Sequence, residues 1–522
     1  MSEVQSPRFE VRGPRLEVRG SQFKVAAALS DFGFRISDFF RTSDFGFRTS
    51  SALARAFCCA CLASLLLLSG CKVGPNFTAP KPELPAGWAG ATNAPSARTV
   101  VSTGQPAGLA NWWTNFNDPK LTGLVTEALR TNLDVQLAEA VLRQARASRG
   151  VVAGGLWPGV TASGSYARNH GGSGTAQPGS HNLFQAGLDA AWELDAFGGV
   201  RRNVESAGAS IRAAQDDLRD AQVSVAAEVA LNYVQLRGFQ QQIVVAQSNL
   251  KAQRHTAEIT RQKFAAGFVS DLDVANADAL VASTEAAIPV LETSAQQSIY
   301  ALSVLLARLP ASLLQDLSET QPLPVNPPEV PVGLPSDLLR RRPDVRAAEG
   351  RLHAATAQVG VAVADFFPKF SLTGSLGYQS SLVRDLFAGA NRFTSLGPAV
   401  SWPIFQGGSI AANVRVQKAL RDQAGITYQK TVLTALQDVE NALIALGKEW
   451  EHRKFLADSV VANRKAVDLS TKLYGEGLTE FLTVLDAERS LYVAENALIQ
   501  STSSTATDLI ALYKALGGGW EN

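Results

Sequence analysis

The chain has 522 residues and a net charge of +1, and only 18% of its side chains are charged, against about 25% in typical soluble domains. Nine basic and six acidic residues fall in the first 70 positions, which leaves −2 for the remainder. A surface this poor in charge suits contact with lipid or sister chains, and the lack of any basic stripe excludes nucleic acid as a partner.

The N-terminal stretch, 1–52, is low-complexity sequence. PRFEVRG is followed at once by PRLEVRG, and SDFGFR occurs at 30–35 and again at 43–48. It reads as a mis-called start or a disordered extension and is set aside from fold reasoning. Residues 53–70 read as a secretory signal. Arg55 supplies the positive end, and Ala56 to Leu68 is an apolar run of 13 residues, too short to span a bilayer as a helix. The run ends Leu68-Ser69-Gly70-Cys71, which resembles the lipobox of bacterial lipoproteins. Cys71 is therefore expected to carry a covalent lipid. Cys58, Cys59 and Cys61 would leave with the signal, so no disulfide is expected in the mature chain. Two or more acyl chains anchor stably where one does not.

Residues 71–115, rich in Pro, Ala, Gly and Thr, read as an extended tether whose end is docked by Trp112 and Trp113. A first repeat is expected over 116–317. It begins with a helical pattern from about Pro119 to Ala153, interrupted near Asn132. Two strands follow. In the second, Phe184, Ala186, Leu188, Ala190, Trp192 and Leu194 make one wholly apolar face, and Gln185, Gly187, Asp189, Ala191 and Glu193 make the other. Residues 160–168 alternate more weakly, and 169–181 read as an exposed loop. After Gly199 the period changes. Val204, Ala207, Ile211, Ala214, Leu218, Ala221 and Val225 form a heptad seam. No strong breaker appears before Gly267, which predicts about 67 residues of helix, roughly 100 Å. A second helix returns with Leu291, Ala295, Ser298, Leu302, Leu305 and Leu309 in step.

The Pro-rich stretch 318–335 reads as a linker, and a second repeat over 336–517 runs through the same order, leaving 518–522 as a tail. Asp134-Val135 recurs as Asp344-Val345, Trp192 as Trp402, and Phe264 and Gly267 as Tyr474 and Gly477, all at an offset of 210. One slip is expected, with Gly198-Gly199 matched to Gly407-Gly408. Phe370, Leu372, Leu376 and Tyr378 face one way on the third strand; Thr394, Leu396, Val400 and Trp402 do so on the fourth, where Pro398 suggests an irregularity. Length alone suggests about three domains; the duplication argues for one body of two similar halves. Four amphipathic strands cannot span lipid as an open sheet, because their edge N–H and C=O groups would go unpaired. They must share a barrel with sister chains. Three copies would supply twelve strands, enough to enclose a lumen lined by the polar faces.

These residues suffice for a resemblance. Cys71-Lys-Val-Gly-Pro-Asn-Phe, Ala227-Glu-Val-Ala-Leu-Asn-Tyr and Phe264-Ala-Ala-Gly-Phe-Val-Ser-Asp resemble strings of the TolC-like outer-membrane factors, in the lipoprotein branch of OprM and NodT type. So do Leu339-Arg-Arg-Arg-Pro-Asp, Trp402-Pro-Ile-Phe-Gln-Gly-Gly and Phe481-Leu-Thr-Val-Leu-Asp-Ala-Glu-Arg in the second half. The resemblance covers about 71–517. It implies a membrane α+β protein: a homotrimer with a twelve-stranded barrel, four strands per chain, continued by a coiled-coil periplasmic tunnel. It also implies a passive exit duct of a tripartite, RND-type efflux system, working with a periplasmic adaptor protein and an inner-membrane transporter.

The same resemblance assigns the tips. Gly267 with Phe268, and Gly477 with Leu478, are the hairpin turns expected to form the entrance and touch the adaptor. Asp486 matches an acidic entrance position, and Thr483 stands at the family's other ring position, so a doubled acidic ring is not expected. Asp273 has two readings: a bond to Tyr474 across closed tips, or a capping box with Ser270. Arg340-Arg341-Arg342-Pro343-Asp344 reads as a structural helix start. The five histidines lack metal-ligand spacing, no nucleotide or hydrolase motif is present, and neither an enzyme nor any cofactor beyond the lipid is expected. The alternative reading is a structural lipoprotein scaffold without transport.

Overall fold

The computed structural model describes residues 72–89, 109–174, 179–323 and 335–520, together with the backbone of 99–100 and 330–331. The extension 1–52, the signal segment 53–70, Cys71 and parts of the tether and linker lie outside the described residues.

Asp118 starts the first helix, α1 (Pro119–Thr131). Its carboxylate accepts from the backbone N–H groups of Lys120 and Leu121, and Pro119 needs no partner at the first position. Asn132 then does the same for α2 (Leu133–Gly154), accepting from Asp134 N–H at 2.8 Å and Val135 N–H at 3.2 Å. That second cap is the expected break. β1 (Gly159–Gly171) and β2 (Gly179–Leu194) follow, then α3 (Gly199–Ala265) and α4 (Asp271–Leu305). The second half has α5 (Pro335–Arg341), α6 (Pro343–Ala364), β3 (Lys369–Ser380), β4 (Arg392–Ser401), α7 (Ser409–Gly475) and α8 (Phe481–Ala515).

Several boundaries differ from the sequence expectation. The strands β1 and β2 pair as far as Gly171 and Gly179, so 169–171 and 179–181 of the expected loop 169–181 are strand. Helix α4 ends at Leu305 rather than Leu309, because Ala307 takes a left-handed φ of 56° and Pro310 follows. Pro335 opens a helix rather than closing the linker. The expected slip at the glycine pairs is absent. Gly198 (φ 80°) and Gly408 (φ 81°) are the equivalent N-caps of α3 and α7, at the full offset of 210. Both 67-residue helices and both 35-residue helices keep that offset.

Of the expected seam on α3, only Ala214 and Val225 are buried within the chain. The buried stripe is its neighbour, Arg202, Ser206, Ala209, Ala213 and Asp216, which meets α6. A Cβ at Gly350 of α6 would sit 3.1 Å from the Ala213 nitrogen, so small residues set this close approach. The rest of the expected seam is half-buried, and Leu218 of it packs against the chain's large core.

One large core unites the halves around Trp112, Leu121, Val229, Tyr233, Leu302, Ile510 and Tyr513. Trp112 stacks on Tyr513 at 5.2 Å, which docks the end of the tether as expected. Two arginines, buried Arg202 and half-buried Arg342, serve as staples. Arg202 donates to Val73 O, Gly74 O and Asn76 Oδ1 (2.7 Å), holding the segment that follows position 71 against α3. Arg342 donates to Asp344, Asp438 and Ala515 O. Trp520 is held in place: the Arg219 and Arg346 guanidiniums, both paired with Asp216, lie against its ring.

Candidate functional site

The four strands form a single antiparallel sheet in the order β1-β2-β3-β4. Its register aligns the faces read from the sequence. Val160 meets Ala190, Tyr166 meets Phe184, Leu188 meets Leu376, Trp192 meets Leu372, and Phe370 meets Val400, so the apolar positions of all four strands share one face. Thr161 meets Asp189, Ser163 meets Gly187, Glu193 meets Ser371, and Ser375 meets Ser395 on the other. Ser163 donates to Asp189 Oδ2 at 2.8 Å on this polar face. Pro398 sits within β4, opposite Leu372, and the register runs through it unbroken. Aromatic rings gather at the two ends of the apolar face. At the loop end Tyr166 lies tilted against Phe184 and Tyr378 meets Phe387 edge-on. At the helix end, Trp192 Nε1 donates to Leu156 O and Trp402 Nε1 to Phe366 O, both at 3.0 Å. An apolar band between two aromatic girdles is the dress of a membrane barrel wall.

At the opposite end of the long helices the chain turns twice. Gly267 N–H bonds Phe264 O and Phe268 N–H bonds Lys263 O; Gly477 and Leu478 repeat this to Tyr474 and Leu473. Both are Schellman turns with glycine in the left-handed position, at φ 79° and 78°. Phe268 and Leu478, the next residues, are 80% and 69% exposed. Apolar side chains held in water at a rigid turn fit a partner surface.

Asp273 does what the capping-box reading expected. Its carboxylate accepts from Ser270 N–H at 2.9 Å and Ser270 Oγ at 2.8 Å. Tyr474 is not joined to it. The buried Tyr474 ring lies under Lys263 Nζ at 4.0 Å, Lys263 also donates to Tyr474 O, and the phenol oxygen lies 3.3 Å from Thr260 Oγ1. Tyr474 thus ties the second hairpin to the first. Asp486 and Thr483 are exposed on the same helix, and Thr483 Oγ1 accepts from Thr479.

Sequence reasoning missed Lys263, Thr260, Thr256 and Glu488. Glu488 is buried in α8 and accepts from Thr256 Oγ1 of α3 at 2.7 Å. Burial pushes its carboxyl above the ordinary range, against the hydroxyl bond that favours the anion. A carboxylate in step with Phe481, Leu485 and Leu491 was the available signal. Lys263 and Thr260 gave none, since surface lysines near helix ends are common.

The family model for outer membrane efflux proteins matches this chain twice, over 124–308 and 334–518. The chain belongs to the outer membrane efflux protein family. The double match coincides with the two halves. Nodulation protein T of Rhizobium leguminosarum bv. trifolii is 35% identical over 456 residues, covering 87% of this chain and 96% of that protein. The antibiotic efflux pump outer membrane protein ArpC of Pseudomonas putida is 34% identical over 460 residues, 87% and 94% of the two chains. Among solved structures, the outer-membrane channel OprN superposes with a TM-score of 0.81 at 39% identity, covering 87% of this chain and all of that one. The Campylobacter jejuni CmeC outer membrane channel gives 0.79 at 25% identity, covering 86% and 96%. This efflux protein is therefore an outer-membrane exit duct. Its sheet lies in the outer membrane and its long helices extend into the periplasm.

Proposed function

We propose that three copies join their sheets edge to edge into one twelve-stranded barrel, and that the duct so formed is passive. The observation that carries this is the sheet itself: one continuous apolar face, one polar face, and two strand edges with no partner among the described residues. In hydrocarbon such edges are untenable, and closure on sister chains pairs them all. The polar face then lines the lumen. A covalent lipid on Cys71 would add an anchor beside the barrel.

The duct opens at its periplasmic tips. The second hairpin moves off the first, breaking the Tyr474 contacts with Lys263 and Thr260 and the Glu488–Thr256 bond. Three Asp486 side chains, one per copy, face the entrance and favour cations there. The exposed Phe268 and Leu478 dock a periplasmic adaptor protein, which couples the duct to an inner-membrane transporter of RND type. Energy comes from that transporter. Single-channel recording in planar bilayers tests the reading. Purified protein is expected to give discrete steps, larger when Tyr474 is replaced by Ala; a protein that inserts without conducting would instead be a scaffold.

A further inference from the structure

We infer that the seam between neighbouring copies repeats the β2–β3 joint found inside each chain. This seam builds a phosphate-binding site for outer-leaflet lipid from Arg392 of one copy with Arg168 and His170 of the next. The inference rests on the trimeric reading above and goes beyond it to a register and a ligand.

The register follows from the duplication. Within the first hairpin Gly159 pairs with Ala191; within the second Lys369 pairs with Ser401, both partners displaced by 210. Trp192 and Trp402 each donate to the carbonyl 36 residues earlier. The hairpins are one unit used twice. Between them, β2 and β3 pair Phe184 with Ser380 and Leu194 with Phe370. The counterpart of β2 is β4, and the counterpart of β3 is β1. The same displacement therefore pairs Thr394 with His170 of the next copy, Leu396 with Arg168, Pro398 with Tyr166 and Val400 with Gly164. Four antiparallel strands per chain leave β4 and the incoming β1 running in opposite directions, as this joint requires.

The ligand follows from the charges. Along the four strands the apolar face carries no carboxylate. Its only formal charges are Arg168, opposite Asn182, and Arg392, opposite Tyr378. Both are exposed, and neither has a hydrogen-bond or ion-pair partner among the described residues. Both lie toward the end remote from the helices, at the extracellular rim, where the cost of a lipid-facing charge falls away. The seam register sets Arg392, His170 and Arg168 on successive rungs over about 14 Å. Two guanidiniums at that spacing suit a headgroup with more than one phosphate. Tyr166, Leu396, Pro398 and Val400 lie beside and below them for the acyl chains. Neither edge strand holds this set alone, so the site exists only in the assembly.

The chain has no cysteine after position 71, which makes the register directly testable. Leu396→Cys is combined in turn with cysteine at Gly164, Tyr166, Arg168 and His170, and the membrane-embedded full-length protein is oxidised. Crosslinking between copies is expected to peak with Arg168→Cys; a peak at another position overturns the register. Trimers of the parent and of the Arg168→Ser/Arg392→Ser variant are then compared by native mass spectrometry with diphosphorylated lipid A and with its dephosphorylated form. The parent is expected to retain the phosphorylated lipid about twenty-fivefold better than the variant, each basic residue contributing a factor of about five. Equal retention by the variant, or equal retention of the dephosphorylated lipid, overturns the site. A chain that never trimerises would overturn the trimeric reading instead.

Discussion

The two hairpins share one design and differ at their tips. Both carry the same upper ion pair, Arg254–Glu285 in the first and Arg464–Glu495 in the second, at equivalent positions. Nearer the tip the first hairpin adds Arg261–Asp278 and the Ser270–Asp273 capping box. The second has Thr471 and Glu488 in place of that ion pair, and Glu480 and Thr483 in place of the box; Glu480 makes no side-chain cap. What the second tip lacks internally it takes from its neighbour. Tyr474 is buried against Lys263 and Thr260, whereas its counterpart Phe264 is 44% exposed. A duplicated unit has thus become one self-tied hairpin and one that leans on it. The leaning hairpin depends at its tip on contacts made with the first.

The contrast is broken most strongly at Tyr474. Tyr474→Ala removes a buried ring and is expected to cost about 3–5 kcal/mol at the tip, whereas Phe264→Ala at the equivalent position is expected to have a much smaller effect. Thermal melting and channel conductance would read both; equal effects would mean the halves play equal parts.

A second difference lies higher up. Asp508 of α8 stands where α4 has Ser298. Burial, helped by the nearby Glu449 charge, raises its carboxyl from 3.8 to about 6. Its folded-state value lies above its unfolded value. Its contribution to stability is therefore fully present below about pH 4 and is lost as pH rises through about 6. Asp508→Asn is expected to stabilise the protein on the order of 2 kcal/mol at pH 7 and to be neutral near pH 4. Melting curves at the two pH values check the sign.

A smaller contrast sits at the far ends of the returning helices. Ala307 and Gly517 occupy equivalent left-handed positions, φ 56° and 70°. Ala307→Gly is expected to stabilise by about 1 kcal/mol. Gly517→Ala is expected to cost about 1–2 kcal/mol, since its Cβ would also lie 3.1 Å from the Arg342 Cα. The smallest effect sharpens the comparison by grafting. Glu480→Ser with Thr483→Asp installs the missing capping box and should stiffen the second tip by about 1 kcal/mol, seen as slower opening in single-channel records.

Much of this fold was legible because duplication and periodicity are local signals. The alternation in Phe184–Leu194 and the uninterrupted run from Gly199 to Gly267 required no tertiary knowledge. The tips read well for the same reason, since a glycine ending a long helix is a backbone necessity. The seam on α3 did not read well. Two stripes of small residues run along that helix, and the one that packs within the chain was the more polar, with Arg202 and Asp216 in it. Apolarity alone favoured the other. The Tyr474 contacts were illegible because Lys263 and Thr260 come from another hairpin, 211 and 214 residues away. For Asp273, the Ser270-x-x-Asp273 spacing offered a local cap and the family resemblance a long-range bond to Tyr474, and the local one formed.

The account depends above all on sheets being pooled between chains. Native mass spectrometry of the detergent-solubilised protein addresses this most directly. The expected result is a particle of three copies that loses its fold when detergent is withdrawn. A single copy that remains folded and soluble in plain buffer would contradict it.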